Sequence, residues 1–174
     1  KLLGISEIIN GQLFETVHPC LVSKNTYIGN VNGVMNAVIT QGKPMGESIL
    51  QGEGAGPGAT SSSLLSDLLS ILSGNIKKPF GIPFNQRKKV KVLNNDDYIN
   101  SLYLRFEVND RPGVLSSITN RLAKYKVSIK RIIQTPNKIN KRATIAIITH
   151  KTTEKNIRSC LSVFTKNKNI LKFP

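Results

Sequence analysis

The 174-residue sequence predicts an α/β (α+β) chain in two parts joined by a linker. Three observations carry that expectation. Residues 101–174 alternate strand and helix patterns in the order βαββαβ. Residues 1–73 mix β-branched runs with one leucine-striped helix. Between them, residues 74–100 hold Pro79, Gly81, Pro83 and a basic run from Arg87 to Lys91 with no sustained period, as interdomain connections do.

In the first part, Phe14 to Val22 and Met35 to Thr40 are rich in strand-forming residues. Gln41-Gly42-Lys43-Pro44 is a turn, and Met45 to Leu50 returns as a short strand. The glycine-rich stretch Gly52 to Thr60 leads into a helix. Leu64, Leu65, Leu68, Leu69 and Leu72 stand at helical spacing, with Thr60 or a neighbouring serine as N-cap and Gly74 as the stop. Lys1 opens an apolar, helix-like stretch, which suggests a natural chain that starts earlier. That start lacks the long apolar run and cleavage site of a signal peptide.

The last part is more regular. Leu102, Leu104, Phe106 and Val108 alternate with Tyr103, Arg105 and Glu107 as a half-buried strand. Asp110-Arg111-Pro112-Gly113 reads as a turn and helix start, with Asp as cap and Pro in the first turn. Val114, Leu115, Ile118 and Leu122 follow as the helix's apolar stripe. Val127 to Gln134 is a strand, broken by Thr135-Pro136-Asn137. Ala143 to Thr149 is nearly all apolar and predicts a central strand. Thr152 or Thr153 caps a helix bearing Ile157, Cys160, Leu161 and Phe164, and Asn169 to Phe173 closes the motif, a ferredoxin-like split βαβ.

Composition excludes several classes. No apolar run reaches the roughly 18 residues that cross a bilayer as a helix, so no membrane partner is expected. Cys20 and Cys160 stand alone, without CxxC or Cys/His spacing, which excludes a zinc site and a disulfide framework and suits free thiols in the cytoplasm. Of the net charge of +15, residues 1–72 hold three basic and five acidic side chains, and residues 73–174 hold 22 basic and five acidic. The basic residues are scattered, so compositional drift in a Lys-, Asn- and Ile-rich chain is favoured over a nucleic-acid footprint. His18 and His150 lack Ser, Cys or Asp partners at catalytic spacing and read as structural. Glu47 and Glu53 are not held as an acid/base pair, and Asp67 faces away from the leucine stripe.

Two resemblances overlie this pattern. The segment Leu102 to Leu115, with its Asp-Arg-Pro-Gly-Val-Leu turn, resembles the opening of ACT domains, as does Ile148-Thr149-His150. Val31-Asn-Gly-Val-Met-Asn-Ala-Val38, Gly52-Glu-Gly-Ala-Gly56 and Thr60 to Asp67 resemble the end of the homoserine dehydrogenase catalytic region, as do Val17-His18-Pro19 and Leu21-Val22. Where that family usually has Pro-Thr-Ala-Ser, this chain has Ala59-Thr60-Ser61-Ser62. The resemblance implies a mixed-sheet remnant of the catalytic region followed by a ferredoxin-like ACT regulatory domain.

It also implies NADP- or NAD-dependent interconversion of homoserine and aspartate semialdehyde, with the dinucleotide fingerprint, the catalytic Lys and the acidic substrate-binding residues lying ahead of Lys1. No catalytic residue is therefore expected in this chain. Gly54, Ala55, Gly56 and Thr60 would approach the nicotinamide end. Asn109, Asp110, Arg111, Pro112, Gly113, Val114 and Leu115 would form an amino-acid effector site, with threonine first, in a homo-oligomer that is at least a dimer. Physics agrees in part: a glycine turn ahead of a helix admits close backbone approach and offers N–H groups, although Gly54-Ala55-Gly56 is not a GxGxxG fingerprint and equally suits a tight strand-to-helix connection. Arg111 could grip a carboxylate or simply be a solvated turn residue. The alternative is a stand-alone ligand-binding or RNA-binding module. The βαββαβ order permits RNA binding, but Ala143 to Thr149 has no aromatic on which a base could stack.

Overall fold

The computed structural model describes residues 1–75, 81–137, 140–164 and 169–172. Two compact units emerge. One comprises Lys1–Leu3 and Val17–Lys89; the other comprises Gly4–Thr16 and Val90–Pro174.

The chain opens on a hairpin of β1 (Leu2–Ile9) and β2 (Gln12–Pro19), joined by Asn10 and Gly11, both at positive φ, the turn chemistry that two-residue hairpins favour. The opening stretch is thus a strand and not the helix its apolar content suggested. Leu3, Ile5 and Ile9 are its half-buried positions, a period of two, and no helical stripe forms.

In the first unit, β3 (Met35–Gly42) and β4 (Gly46–Glu53) pair antiparallel in unbroken register from Met35 opposite Glu53 to Gly42 opposite Gly46. Helix α1 (Pro57–Leu72) follows, and Gly74 at φ +67° stops it with its N–H on the Ile71 carbonyl at 3.0 Å. The cap is Gly56, not Thr60 or a serine. Pro57 takes the first helical position, where its missing N–H costs nothing. This moves Thr60 and Ser61 inside the helix, and their hydroxyls donate to the Gly56 and Pro57 carbonyls at 2.8 and 2.7 Å. The leucine stripe is real but uncovered. Leu64, Leu65, Leu68, Leu69 and Leu72 are each at least half exposed, and α1 buries no residue.

The second unit holds the core. A four-stranded antiparallel sheet runs in the order β10 (Ile170–Lys172), β6 (Tyr103–Asn109), β8 (Arg142–Thr149), β7 (Ile129–Asn137). Helices α2 (Val114–Lys124) and α3 (Glu154–Phe164) contribute Ile118, Leu122, Cys160 and Phe164 to the same buried cluster as Leu104, Phe106, Ile145 and Ile147 of the sheet. The apolar third strand is central, as its composition required, and Phe106 meets Phe164 edge to face at 5.2 Å. The buried Thr149 is satisfied: its Oγ1 accepts from the Leu102 N–H at 3.0 Å. Arg121 donates to the Val163 carbonyl at 2.7 Å, closing the end of α3.

Three local expectations shift. Pro136 does not break β7, which runs on to Asn137. β7 is the edge strand, where a residue without an N–H loses no ladder bond if it faces outward. Asp110 does not cap α2; Gly113 does, in the left-handed conformation at φ +86°. The stretch before β6 is not structureless. It carries single 3-10 turns at Phe84–Gln86 and Asn95–Asp97 and the two-residue strand β5 (Ile99–Asn100), paired with β9 (Thr152–Thr153). Val92 also bridges Leu13 in parallel, and Phe14 stacks on Tyr98 at 3.6 Å. Thr153 caps α3 through the Asn156 N–H, and the closing strand is seen as Ile170–Lys172, with Phe173 outside the described residues.

Phe106→Ala should cost about 3–5 kcal/mol because it empties the centre of this core, whereas Leu68→Ala, on an exposed stripe, should change stability by less than about 0.5 kcal/mol; urea titration of each variant checks both. Cys160 is fully buried, and burial pushes its thiol up to about 11, with Arg121 opposing. The stability this buried neutral thiol contributes is complete below the ordinary value of 9.0 and is lost as pH rises through about 11. In the native chain at pH 8, a thiol reagent should therefore label Cys20 and leave Cys160 untouched until denaturant is added.

Candidate functional site

Two clefts collect the residues that the sequence singled out. The first, in the N-terminal unit, lies between the end of β4 and the first turns of α1. It has a volume of about 310 Å³ and is lined by Glu53, Gly54, Ala55, Ala59, Thr60, Ser63, Leu64 and Asp67. Three of the four predicted cofactor residues, Gly54, Ala55 and Thr60, line it; Gly56 does not, and stands instead at the helix cap.

The two glycines are there for different reasons. A Cβ on Gly54 would overlap the Asn36 side-chain amide, so that glycine answers to packing within its own hairpin. Gly56 has φ +118° and ψ 154°, a region only glycine adopts without strain, and a Cβ there would meet nothing. Gly56, as the cap of α1, offers no side-chain acceptor to the helix's first turn. Glu53 and Asp67 give the cleft an acidic rim, and periodicity alone had not connected Asp67 to it.

The second cleft, in the C-terminal unit, has a volume of about 420 Å³. All seven predicted effector residues, Asn109 to Leu115, line it in one continuous arc. The arc begins where β6 ends. The Asn109 N–H is taken by the Asn169 carbonyl at 3.0 Å and the Asp110 N–H by the Lys141 carbonyl at 2.9 Å. Gly113 then turns the chain through its positive φ into α2, and as a glycine cap it offers no side-chain acceptor to the helix's first turn. Leu115 lines the cleft at the start of α2, and Val114 is buried beside it.

Sequence reasoning missed three lining residues: Val108, Gln134 and Ile145. Gln134 Nε2 donates to Asp110 Oδ1 at 3.2 Å, which joins β7 to the turn. The signal was strand pairing, not motif. Gln134 stands opposite Ile145, and Ile145 opposite Phe106, an arrangement that a single sequence does not print. His18 is half-buried in β2 and His150 is exposed after β8, and no cluster of three or more metal-ligating side chains occurs among the described residues. No described helix is long and apolar enough to cross a membrane.

Residues 1–69 match the homoserine dehydrogenase family model and residues 102–164 match the ACT domain model. Residues 1–69 belong to the homoserine dehydrogenase family, and residues 102–164 are an ACT domain. It is 33% identical over 168 residues to the homoserine dehydrogenase of Neisseria gonorrhoeae, covering 93% of this chain and 39% of that protein. It is 29% identical over 174 residues to that of Helicobacter pylori, covering 100% of this chain and 41% of that protein. A crystal structure of a homoserine dehydrogenase from Thiobacillus denitrificans superposes with a TM-score of 0.82 at 30% identity, over 99% of this chain and 40% of the other. The chain thus spans about two fifths of these relatives and corresponds to their C-terminal portion.

The glycine loop yields a direct test. Gly56→Ala should cost about 1–3 kcal/mol locally and speed amide exchange in the first turn of α1. Gly54→Ala should cost less, because the exposed Asn36 side chain can rotate away.

Proposed function

We propose that this chain is the regulatory and nicotinamide-contacting portion of an NAD(P)-dependent homoserine dehydrogenase, which interconverts L-homoserine and L-aspartate 4-semialdehyde. The reading assigns residues 1–73 to the end of the catalytic region, 74–100 to a linker and 101–174 to the ACT domain. It places the enzyme in the cytoplasm, on the route to threonine, methionine and isoleucine, as a homo-oligomer.

The observation that carries the regulatory part is the second cleft, where seven consecutive turn residues meet Gln134 and Ile145 around one cavity. Its donors would be the main-chain amides at the start of α2, which favour a carboxylate. Its acceptors are Asn109, Asp110 and Gln134, which suit an ammonium or hydroxyl. A free amino acid satisfies both sets; threonine is the first choice because of the family. A difference of ~1–3 kcal/mol in effector affinity between two states is enough to regulate an enzyme.

The first cleft is the support for nicotinamide contact. Its rim of Glu53 and Asp67 would repel a pyrophosphate but suits an uncharged carboxamide, which can donate to a carboxylate. Gly54, Ala55, Gly56 and Thr60 would hold that end of NADP or NAD. The bound dinucleotide would supply the hydride, while these residues position its ring and limit access of water. Gly54-Ala55-Gly56 follows an antiparallel hairpin and does not open a parallel βαβ unit, so it is not a dinucleotide fingerprint that would hold the rest of the cofactor.

The purified 174-residue chain should therefore bind at least one of threonine, methionine, isoleucine and lysine at micromolar to millimolar concentration by calorimetry, yet show no NADPH-dependent reduction of aspartate semialdehyde. A folded chain that binds none of the four at millimolar concentration would remove the sensor reading; measurable turnover would remove the division of labour.

A further inference from the structure

Ahead of Leu104, Phe14 is the one buried hydrophobic side chain among the described residues. It is 3% exposed, yet it stands apart from the core cluster of the C-terminal unit, whose buried members run from Leu104 to Ile170. Its cover is Tyr98: the two rings stack 3.6 Å apart and 9° from parallel. The residue before it is held through its main chain. The Leu13 N–H donates to the Lys91 carbonyl at 2.9 Å, and the Leu13 carbonyl accepts from the Leu93 N–H at 2.8 Å. Val92 thereby runs parallel to β2 along its outer edge.

The segment that receives Phe14 is itself clasped to the start of α3. The Glu154 N–H donates to the Tyr98 carbonyl at 3.1 Å, Arg158 pairs with Asp96 at 2.9 Å, and Ile99–Asn100 pairs with Thr152–Thr153. These links on either side of Tyr98 fix where its ring stands.

The consequence lies in the β1–β2 hairpin. It falls within residues 1–69, the part that matches the homoserine dehydrogenase model. Its tip, Gly4–Thr16, nonetheless groups with Val90–Pro174, while Lys1–Leu3 and Val17–Lys89 form the N-terminal unit. A hairpin of two strands is marginal in water by itself. Leu2, Ile8 and Val17 are each more than half exposed, and Phe14 is the sole side chain of the hairpin that is buried. The tip therefore depends on Phe14 and on the surface that Tyr98 offers it.

We propose that Phe14 is a latch that makes the hairpin tip part of the cooperative fold of residues 90–174, so that whatever stabilises the C-terminal unit is felt in strands that run on into the catalytic region. The latch stands whether or not the second cleft binds an effector. Its regulatory consequence rests on the effector reading: a ligand that stabilises the ACT domain would also steady β1 and β2.

Amide exchange of the full 174-residue chain, followed by NMR, tests it. In the wild type the Leu13 and Leu93 amides should exchange slowly and respond to low urea in step with the β6–β8 ladder, as members of one cooperative unit do. Phe14→Ala and Tyr98→Ala should each speed exchange at Leu13 and Leu93 by about tenfold or more and leave the β6–β8 ladder within about twofold. The double variant should add less than about twofold to either, because the two rings act as one contact. Unchanged protection at Leu13 in folded Phe14→Ala overturns the proposal, since main-chain bonds alone would then hold the tip. Equal acceleration throughout the C-terminal unit also overturns it, since Phe14 would then be ordinary core. L-Threonine separates the regulatory consequence. At millimolar concentration it should protect Leu13 and the ladder together in the wild type, by linkage to the folded state, and the ladder alone in Phe14→Ala. Protection of the ladder without Leu13 in the wild type overturns the latch. Threonine that protects no amide counts against the effector reading, and the latch is then decided by the exchange of the variants.

Discussion

Phe106 and Phe164 meet edge to face at 5.2 Å in the interior of the C-terminal unit, and the rest of that unit is organised around this contact of sheet and helix. Phe106 stands midway along β6, with Ile145 of the central strand opposite it. Phe164 ends α3 and receives Arg121 of α2 over its ring at 5.5 Å. One aromatic pair thereby touches both helices and the sheet. An aromatic pair of this geometry adds about 0.5–1.5 kcal/mol beyond the area it buries. Its larger effect is geometric: with α2 pinned at Arg121 and Ile118, the start of that helix has one place to go, and the turn from Asn109 to Gly113 must reach it.

That constraint shapes the cleft. The turn has four residues, Asp110 to Gly113, in which to pass from the end of β6 to the start of α2. The left-handed conformation of Gly113 makes the reversal possible, and Val114 then plunges into the core as the first helical residue. The helix start that the sequence placed on Asp110 is delayed by three residues, and this delay frees the Asp110 side chain to face Gln134 instead of capping the helix.

The N-terminal unit shows the opposite balance. Its α1 has Asp67 as its sole charged residue, and the hydroxyls of Thr60, Ser61, Ser63 and Ser70 each bond back to the carbonyl four residues earlier. The helix therefore presents apolar and internally satisfied polar side chains together, with leucines half or more exposed. Such composition suits burial and does not suit water.

Local pattern alone determined much of this protein. The period of two in Leu102 to Val108, the nearly all-apolar run of Ala143 to Thr149 and the helical stripes of α2 and α3 each report a single element's own burial, and each element formed where its pattern lay. The Asp-Arg-Pro-Gly-Val-Leu turn was legible for the same reason, since its residues are adjacent in the chain. The opening stretch was misread because its apolar positions are too few to separate the two periods, and Pro136 because its tolerance depends on β7 lying at an edge. Gln134 belongs to this second kind. Its neighbours in the cleft are Asp110, 24 positions earlier, and Ile145, across the hairpin. Strand order and register, which follow from the packing of both helices on the sheet, decide that such residues meet, and no single segment encodes them.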